Sequence, residues 1–506
     1  MSEVTQTKTD PQPTATPGAV ETSGGGGVAL CVDLDGSLLR SDLLWESLFQ
    51  LLGEEPARAL SLPSGIAGGK ANLKHRIAER VELDAATLPY HEEVLAFLRE
   101  QKEAGRTLVL ATASHQKYAD AVAEHLGLFD HVIGSDATHN RRGAAKIAAI
   151  REAVGETFDY VGDSDADLPL VAACRKLYLV DPSRGLREAG EKAGNVERTF
   201  EKPAKARGFR PLVKLARPHQ WAKNALIFVP MLMGQAVTLT NLLIVLLGFA
   251  AFSAAASSIY IFNDLVDIES DRRHATKRRR PLAAATVAVP TALKLGLGLL
   301  GLGLLLAAFG GLAFLGWVVL YLVLTTAYSF SLKRRLLVDV ILLGWLYTHR
   351  VIAGGLLVPD AFPSQWLLAF CAFMFISLAF AKRYTELAAA GDGKANARRG
   401  YRRDDLPLIG NVGPTAGFMA LLVFSLFINA QQRAAAVAQT IGIDPPYEHP
   451  WVLWLVMPVM MFWVLRVWFL AYRGELHDDP IAFAIRDRLS YVCAAAVALF
   501  LLLAAG

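Results

Sequence analysis

Residues 263–282 read "NDLVDIESDRRHATKRRRPL", which sets three Asp, one Glu and six Lys/Arg between two strongly apolar stretches. Asp264, Asp267 and Asp271 recur at i, i+3 and i+7, so on a helix continuing from the preceding apolar run they share one face. Three like charges converging there repel one another unless a cation sits among them. Mg2+ takes oxygen ligands, and when only a few carboxylates hold it, phosphate oxygens of a substrate complete its shell. Asn263 adds a neutral acceptor beside the three. The plain alternative is a solvated loop at the headgroup level, where basic runs bind anionic lipid.

Outward from this stretch, composition divides the chain. Of its 506 residues 53% are hydrophobic and only 19% charged, too apolar for an all-soluble protein. The apolar excess lies after residue 205, in Leu, Ala, Val, Phe and Trp runs long enough to cross a bilayer. Nine spans are expected, near 224–237, 241–263, 293–311, 312–331, 336–357, 365–382, 414–430, 450–471 and 489–505. The loops on alternate sides differ sharply. "DRRHATKRRR", "KRR", "AKRYTELAAAGDGKANARRGYRRD" and "RGELHDDPIAFAIRDR" fall on one side, while "QAVTLT", "FGG" and "VPDAFPSQ" fall on the other. By the positive-inside rule the basic loops are cytoplasmic.

Residues 1–27, rich in Thr, Pro, Ser and Gly, read as a flexible tail without the apolar core of a cleaved signal peptide. The soluble part, residues 28–205, is therefore expected in the cytoplasm and the C-terminus outside, in a bacterial-type inner (plasma) membrane. A net charge of +4 gives no reason to expect nucleic acid as a partner. Cys31, Cys174, Cys371 and Cys493 stand apart without CxxC pairing, which argues against disulfides and zinc.

In the soluble part, "VALCVDLDG", "TLVLATAS", "HVIGSD", "DYVGDSD" and "LYLVD" are short β-like runs separated by helical stretches. Such alternation predicts an α/β domain with a parallel sheet, whose active residues gather at the carboxyl ends of the strands. Asp33 and Asp35 end the first run, Thr112 the second, and Asp163 and Asp167 follow the fourth, with Lys146 on the helical stretch between. Two carboxylates two residues apart suit a nucleophile and an acid/base, and a third completes a Mg2+ site. Thr112 and Lys146 are then placed to hold phosphate oxygens.

These residues, "DLDGS", "LATAS", Lys146 and "GDSDAD", resemble the four motifs of the haloacid dehalogenase (HAD) superfamily over roughly residues 28–200. The resemblance implies a Rossmannoid parallel sheet with a helical cap from residues 40–105. It also implies Asp33 as the nucleophile that becomes phosphorylated, Asp35 as acid/base, and Asp33 and Asp163 as Mg2+ ligands. Ser37 stands where Thr is commoner.

The pattern NDxxDxxxD after a second span resembles the UbiA superfamily of membrane prenyltransferases, over about residues 206–506. It implies an all-α bundle of nine transmembrane helices with its site on the cytoplasmic side. Members that use prenyl diphosphates carry a second aspartate pair of DxxxD type. Here "YSFSLKRRLLVDVILLG" has Asp339 alone, with Leu343 where a second Asp would stand. "RPHQWAKN" (217–224), the 263–281 stretch and "YSFSLKRRLLVD" (328–339) are instead similar to decaprenyl-phosphate phosphoribosyltransferases. The resemblance then implies transfer of 5-phosphoribose from phosphoribosyl pyrophosphate (PRPP) to a polyprenyl phosphate, with Mg2+ on Asn263, Asp264, Asp267 and Asp271.

Charge supports that choice, because PRPP and a lipid phosphate bring three phosphate groupings to one cavity. Lys223, Lys277, Arg278, Arg280, Lys333, Lys382 and Arg383 all lie at expected cytoplasmic helix ends or loops. Arg suits bidentate phosphate contacts and Lys point-charge contacts. Lys277, Arg278 and Arg280 are assigned to PRPP and Lys223 to the lipid phosphate, with Tyr328, Lys333, Asp339, Lys382 and Arg383 completing the substrate-facing set. Arg350, three turns deeper than Asp339, is expected to line the cavity. Two other readings stay open: prenyl transfer from a prenyl diphosphate to an aromatic or other acceptor, and a transporter or lipid-binding scaffold with a regulatory soluble head. The expected partners are PRPP, a polyprenyl phosphate and the membrane, and a homo-oligomer is open.

Overall fold

The computed structural model describes residues 27–56, 58, 69–201, 208–389, 400–441, 447–476 and 480–506; the expected tail, apart from Gly27, lies outside them. The chain forms two compact units, residues 1–38 with 90–201, and residues 39–89 with 202–506.

The first unit is built on six strands: β1 (Ala29–Val32), β2 (Leu108–His115), β3 (His131–Ser135), β4 (Phe158–Gly162), β5 (Leu177–Val180) and β6 (Val196–Phe200). All pair in parallel, in the order β3-β2-β1-β4-β5-β6. β1, β4 and β5 are buried throughout, as parallel strands covered on both faces must be. Cys31, Val109, Ile150, Phe158 and Leu177 pack in one core with their neighbours. The chain winds outward from β1 through β2 to β3, then returns to β4 on the other side. Strand order reverses between β1 and β4, and there the carboxyl ends of an α/β sheet open a crevice.

The second unit contains eight helices long and apolar enough to cross a membrane, among the described residues. They begin with Leu239–Val266, Val289–Phe309, Leu312–Phe330, Val338–Leu357 and Gln365–Ala389. Leu406–Ile441, Val456–Tyr472 and Arg488–Ala505 follow. Nine spans were expected, and the difference lies at 224–237. There Pro218–Phe228 is an eleven-residue 3-10 helix that runs into the five-residue α-helix Val229–Met233. The tighter 3-10 winding rises about 2.0 Å per residue, so the two lengths together amount to about 30 Å, comparable with the thickness of a bilayer's hydrocarbon core.

Residues 39–89, expected as part of the soluble domain and its cap, fall in the second compact unit. The helix Leu43–Glu54 starts at Asp42, whose side chain accepts from Leu44 N–H at 2.9 Å and Trp45 N–H at 3.4 Å. Its Phe49 is buried with Leu215, Ile261, Leu265, Ile268, Leu282 and Val289, and the half-buried Trp45 packs against them. The approach is close: a Cβ on Gly53 would lie 2.6 Å from Val266 Cγ1.

Candidate active sites

In the first unit Asp33 follows β1 directly, and its N–H donates to Val161 O at 3.0 Å, pinning it beside β4. Asp163 leaves β4 at the matching point. Gly36 takes φ +81°, and a Cβ on it would lie 2.1 Å from Asp163 Oδ2, so both the turn and the close approach require glycine. Asp33, Asp163 and Asp167 offer carboxylate oxygens within 4.8 Å of one another, the one such trio of His, Cys, Asp or Glu among the described residues.

Lys146 Nζ is the counter-charge. It donates to Asp33 Oδ1 and to the Tyr160 hydroxyl, each at 2.9 Å, and to Asp167 Oδ1 at 3.4 Å. Tyr160 O–H in turn donates to Asp167 Oδ1 at 2.8 Å. Burial pushes the Asp163 carboxyl up to about 8, and Asp33, Asp167 and Asp35 add repulsion. Burial also pushes Asp33 up to about 6, against the pull of Lys146. For Lys146 burial opposes the charge, but Asp33 and Asp167 outweigh it and hold the ammonium above its ordinary value. Three crowded carboxyls with one ammonium fit a hard divalent cation such as Mg2+.

Asp35 accepts a short hydrogen bond from Ser114 Oγ. Thr112 is fully buried, and its hydroxyl oxygen accepts from Ser114 N–H at 3.0 Å while its own proton is left to donate. Asp167 completes the trio, although only Asp33 and Asp163 were assigned to the metal of this unit. Within "GDSDAD" the sequence carries no signal of which carboxylate turns inward: Asp165 turns away and accepts from Ser183 Oγ at 2.5 Å.

In the second unit the opening stretch ends the helix Leu239–Val266, and Asp267 (φ −94°, ψ 8°) joins it to Ile268–Arg273. The helical spacing survives the junction. Asp267 N–H donates to Asn263 O at 2.9 Å and Asp271 N–H to Asp267 O at 2.8 Å. The three carboxylates do not, however, meet around a gap. Arg280 Nη1 bridges Asp264 at 3.1 Å and Asp271 at 2.6 Å, and Arg217 makes a second, shorter ion pair with Asp264. Burial holds the Asp271 carboxyl above its ordinary value in spite of Arg280. Lys277 Nζ stands 4.0 Å from Asp271. Lys277 and Arg278 are exposed, while Arg280 and Asn263 are half-buried. The Asp267 side chain makes no hydrogen bond or ion pair among the described residues.

Three expected substrate-facing residues, Asp339, Arg383 and Arg350, are held by protein partners. Asp339 is fully buried, 2.9 Å from Arg383 Nε, and accepts from Tyr401 O–H at 2.7 Å. The Tyr401 oxygen takes Leu337 N–H at 3.1 Å, and Arg383 also pairs with Glu386. The Asp339–Arg383 ion pair joins the helices Val338–Leu357 and Gln365–Ala389, while Asp339 Oδ2 and Arg383 Nε and Nη2 have no hydrogen-bond partner among the described residues. Arg350, nearly buried, donates to Asn224 Oδ1 at 2.8 Å, to Tyr321 OH at 3.2 Å and to Leu346 O. Its donors join the 3-10 helix to the bundle rather than facing a cavity.

Lys223 Nζ lies 5.8 Å over the Tyr347 ring. Tyr328, Lys333 and Lys382 are half-buried. Because the helices alternate in direction, residues 264–280, 328–339 and 382–383 all fall at one end of the bundle. Toward the other end lies an apolar cavity of about 570 Å³, lined by Leu226, Met233, Trp366, Phe370, Phe375, Phe424 and Trp463 among others.

The UbiA prenyltransferase family model matches residues 225–504, and the haloacid dehalogenase-like hydrolase model matches residues 30–172. The chain belongs to the UbiA prenyltransferase family and carries a haloacid dehalogenase-like domain ahead of its membrane bundle. It is a multi-pass membrane enzyme. It is 36% identical over 472 residues to the uncharacterized protein y4nM of Sinorhizobium fredii, covering 93% of this chain and 89% of that one. It is 34% identical to the decaprenyl-phosphate phosphoribosyltransferase of Mycolicibacterium smegmatis, over 55% of this chain and 87% of that protein. The solved structure of a UbiA homolog from Archaeoglobus fulgidus bound to GPP and Mg2+ aligns with TM-score 0.43 at 16% identity, over 58% of this chain and 98% of that one.

Proposed function

We propose that the membrane unit transfers 5-phosphoribose from PRPP to a polyprenyl phosphate of the decaprenyl type, and that the haloacid dehalogenase-like unit removes the 5-phosphate from the product. The likeness to a decaprenyl-phosphate phosphoribosyltransferase supports the first step. The observation that carries the choice of donor is the closed Asp339–Arg383–Tyr401 cluster. Asp339 is fully buried on Arg383, and Leu343 stands where the second aspartate of a DxxxD pair would, which supports the Asp264, Asp267 and Asp271 set as the one place for a metal-bound diphosphate.

Asn263, Asp264, Asp267 and Asp271 would hold Mg2+, which when bound neutralises the charge growing on departing pyrophosphate. Arg280 exchanges its carboxylate partners for phosphate oxygens of PRPP, assisted by Lys277 and Arg278. That exchange frees Asp271 as an oxygen donor at the moment the substrate arrives, while Asp264 keeps its Oδ1 on Arg217 and offers Oδ2. Lys223 takes the lipid phosphate, and the apolar cavity takes part of the isoprenoid chain. The bond from ribose C1 to pyrophosphate breaks, and a lipid phosphate oxygen bonds to C1 from the opposite face. Phosphate is already an anion, so no strong general base is required.

The product keeps its 5-phosphate, the substrate class for the other unit. Asp33 attacks phosphorus, Asp35 held by Ser114 protonates the leaving ribose oxygen, and water then releases phosphate from Asp33. Thr112 and Lys146 steady the phosphate oxygens, and Asp33, Asp163 and Asp167 would hold the Mg2+ of this unit. Both steps belong to the cytoplasmic face, with the C-terminus outside, an orientation supported by the loop charges and by a 3-10 segment long enough for a ninth crossing. The test is transfer from labelled PRPP to polyprenyl phosphate, run beside prenyl diphosphate with an aromatic acid. Product in the second reaction and none in the first refutes phosphoribosyl transfer in favour of prenyl transfer.

A further inference from the structure

We infer that Glu46, outside both sets of reacting groups, is a positioning residue for the transfer reaction, acting through Arg272 on the loop that carries Asp271 and Arg280. The inference rests on the phosphoribosyl reading and extends it to a residue far away in sequence. Glu46 lies in the first turn of Leu43–Glu54 and is 6% exposed. A carboxylate so buried persists only with a partner. Arg272 provides it in fork-to-fork geometry, Nη1 to Oε2 at 2.7 Å and Nη2 to Oε1 at 2.5 Å.

The remaining donor of the same guanidinium, Nε, reaches Ala283 O at 3.1 Å. One side chain therefore ties three segments: the inserted helix, the short helix Ile268–Arg273, and the turn that follows Arg280. Arg272 is the next residue after Asp271, and Ala283 lies three beyond Arg280. Both limbs of the loop are thus fixed at the places next to the Asp271–Arg280 bridge. A second contact holds the same element, with Arg273 Nη2 3.4 Å from Asp84 Oδ2 at the far end of the insertion. Without the Glu46 charge, Arg272 is buried and unpaired, and its escape toward water loosens both limbs. Lys223, assigned to the lipid phosphate, sits on the separate Pro218–Phe228 segment, so the disturbance is confined to PRPP.

Glu46→Gln keeps the shape and removes the charge. Misplacement of a binding group by a fraction of an ångström raises the KM for PRPP roughly tenfold. The thermal unfolding midpoint falls, because Arg272 loses a buried partner, but on protein still folded at the assay temperature the KM for polyprenyl phosphate and phosphate release from an aryl phosphate at Asp33 stay near wild type. Arg272→Gln gives the same selective rise, and the double variant is no worse than either single one, because both remove one interaction. An unchanged KM for PRPP, a parallel rise for both substrates, or an additive double variant overturns the inference while leaving the wild-type transfer intact. A wild-type chain that transfers no phosphoribose overturns the phosphoribosyl reading and this inference with it.

Discussion

Asp267→Asn separates catalysis from folding at the membrane site. Asp264 is ion-paired to Arg217 and Arg280, and Asp271 to Arg280, so neutralising either also takes an ion-pair partner from a half-buried arginine. Asp267 is half-buried and in no ion pair, and asparagine matches its size. Stability therefore changes by no more than about 0.5 kcal/mol, the range of substitutions that break no buried contact. The charge itself is needed when pyrophosphate departs. Losing one preorganised electrostatic group costs about 2.7–4 kcal/mol in the transition state, so transfer falls roughly 10²–10³-fold. The assay follows labelled PRPP into lipid with saturating polyprenyl phosphate, alongside thermal unfolding of the same preparation. Transfer within threefold of wild type at an unchanged midpoint would remove Asp267 from the metal site. A midpoint that falls by many degrees would show that Asp267 has a structural partner and refute the separation.

Lys146→Met keeps the stem packed but deletes the ammonium beside Asp33, and phosphate release from an aryl phosphate should fall by about 10²–10³-fold with lipid transfer unchanged; a loss under threefold refutes its role. Asp33→Asn should abolish phosphate release while lipid–ribose bonds still form, so that the 5-phosphorylated lipid accumulates; disappearance of both activities would contradict two separable steps. Asp159 is fully buried between Arg106 and Arg175, so Asp159→Asn should cost the first unit about 3 kcal/mol, read by denaturant unfolding. Burial alone would raise that carboxyl, but Arg175 and Arg106 outweigh it and hold it below its ordinary value. Its stabilisation is therefore complete above about pH 4, the unfolded value, and is lost as pH falls through the lower folded value; a wild-type advantage that vanished near neutral pH would contradict this.

Much of the architecture is legible locally. Five of the six strands lie within short apolar runs bounded by polar residues, and Asp33 and Asp163 stand at their ends because a strand and the residue after it are continuous in sequence. A hydropathy run of twenty residues is likewise local, which is why eight expected spans correspond to helices. The segment 224–237 differs because its apolar content suits a bilayer, while its first residues belong to the 3-10 helix Pro218–Phe228, a winding that no hydropathy window distinguishes.

The amino-acid sequence by itself determined the two kinds of domain, the strand-end carboxylates and the acidic face at 264–271, since each rests on spacing within one element. Only the tertiary structure decided what those charges face. Glu46 and Arg272 lie 226 residues apart, and Arg217 and Asp264 lie 47 apart, and no local pattern marks such pairs. Asp339 shows the consequence: in sequence it is a lone carboxylate at a span end, open to substrate, and in the fold Arg383 and Tyr401 surround it. A charge's partner is set by which helix ends are packed together, and that packing is a property of the whole bundle.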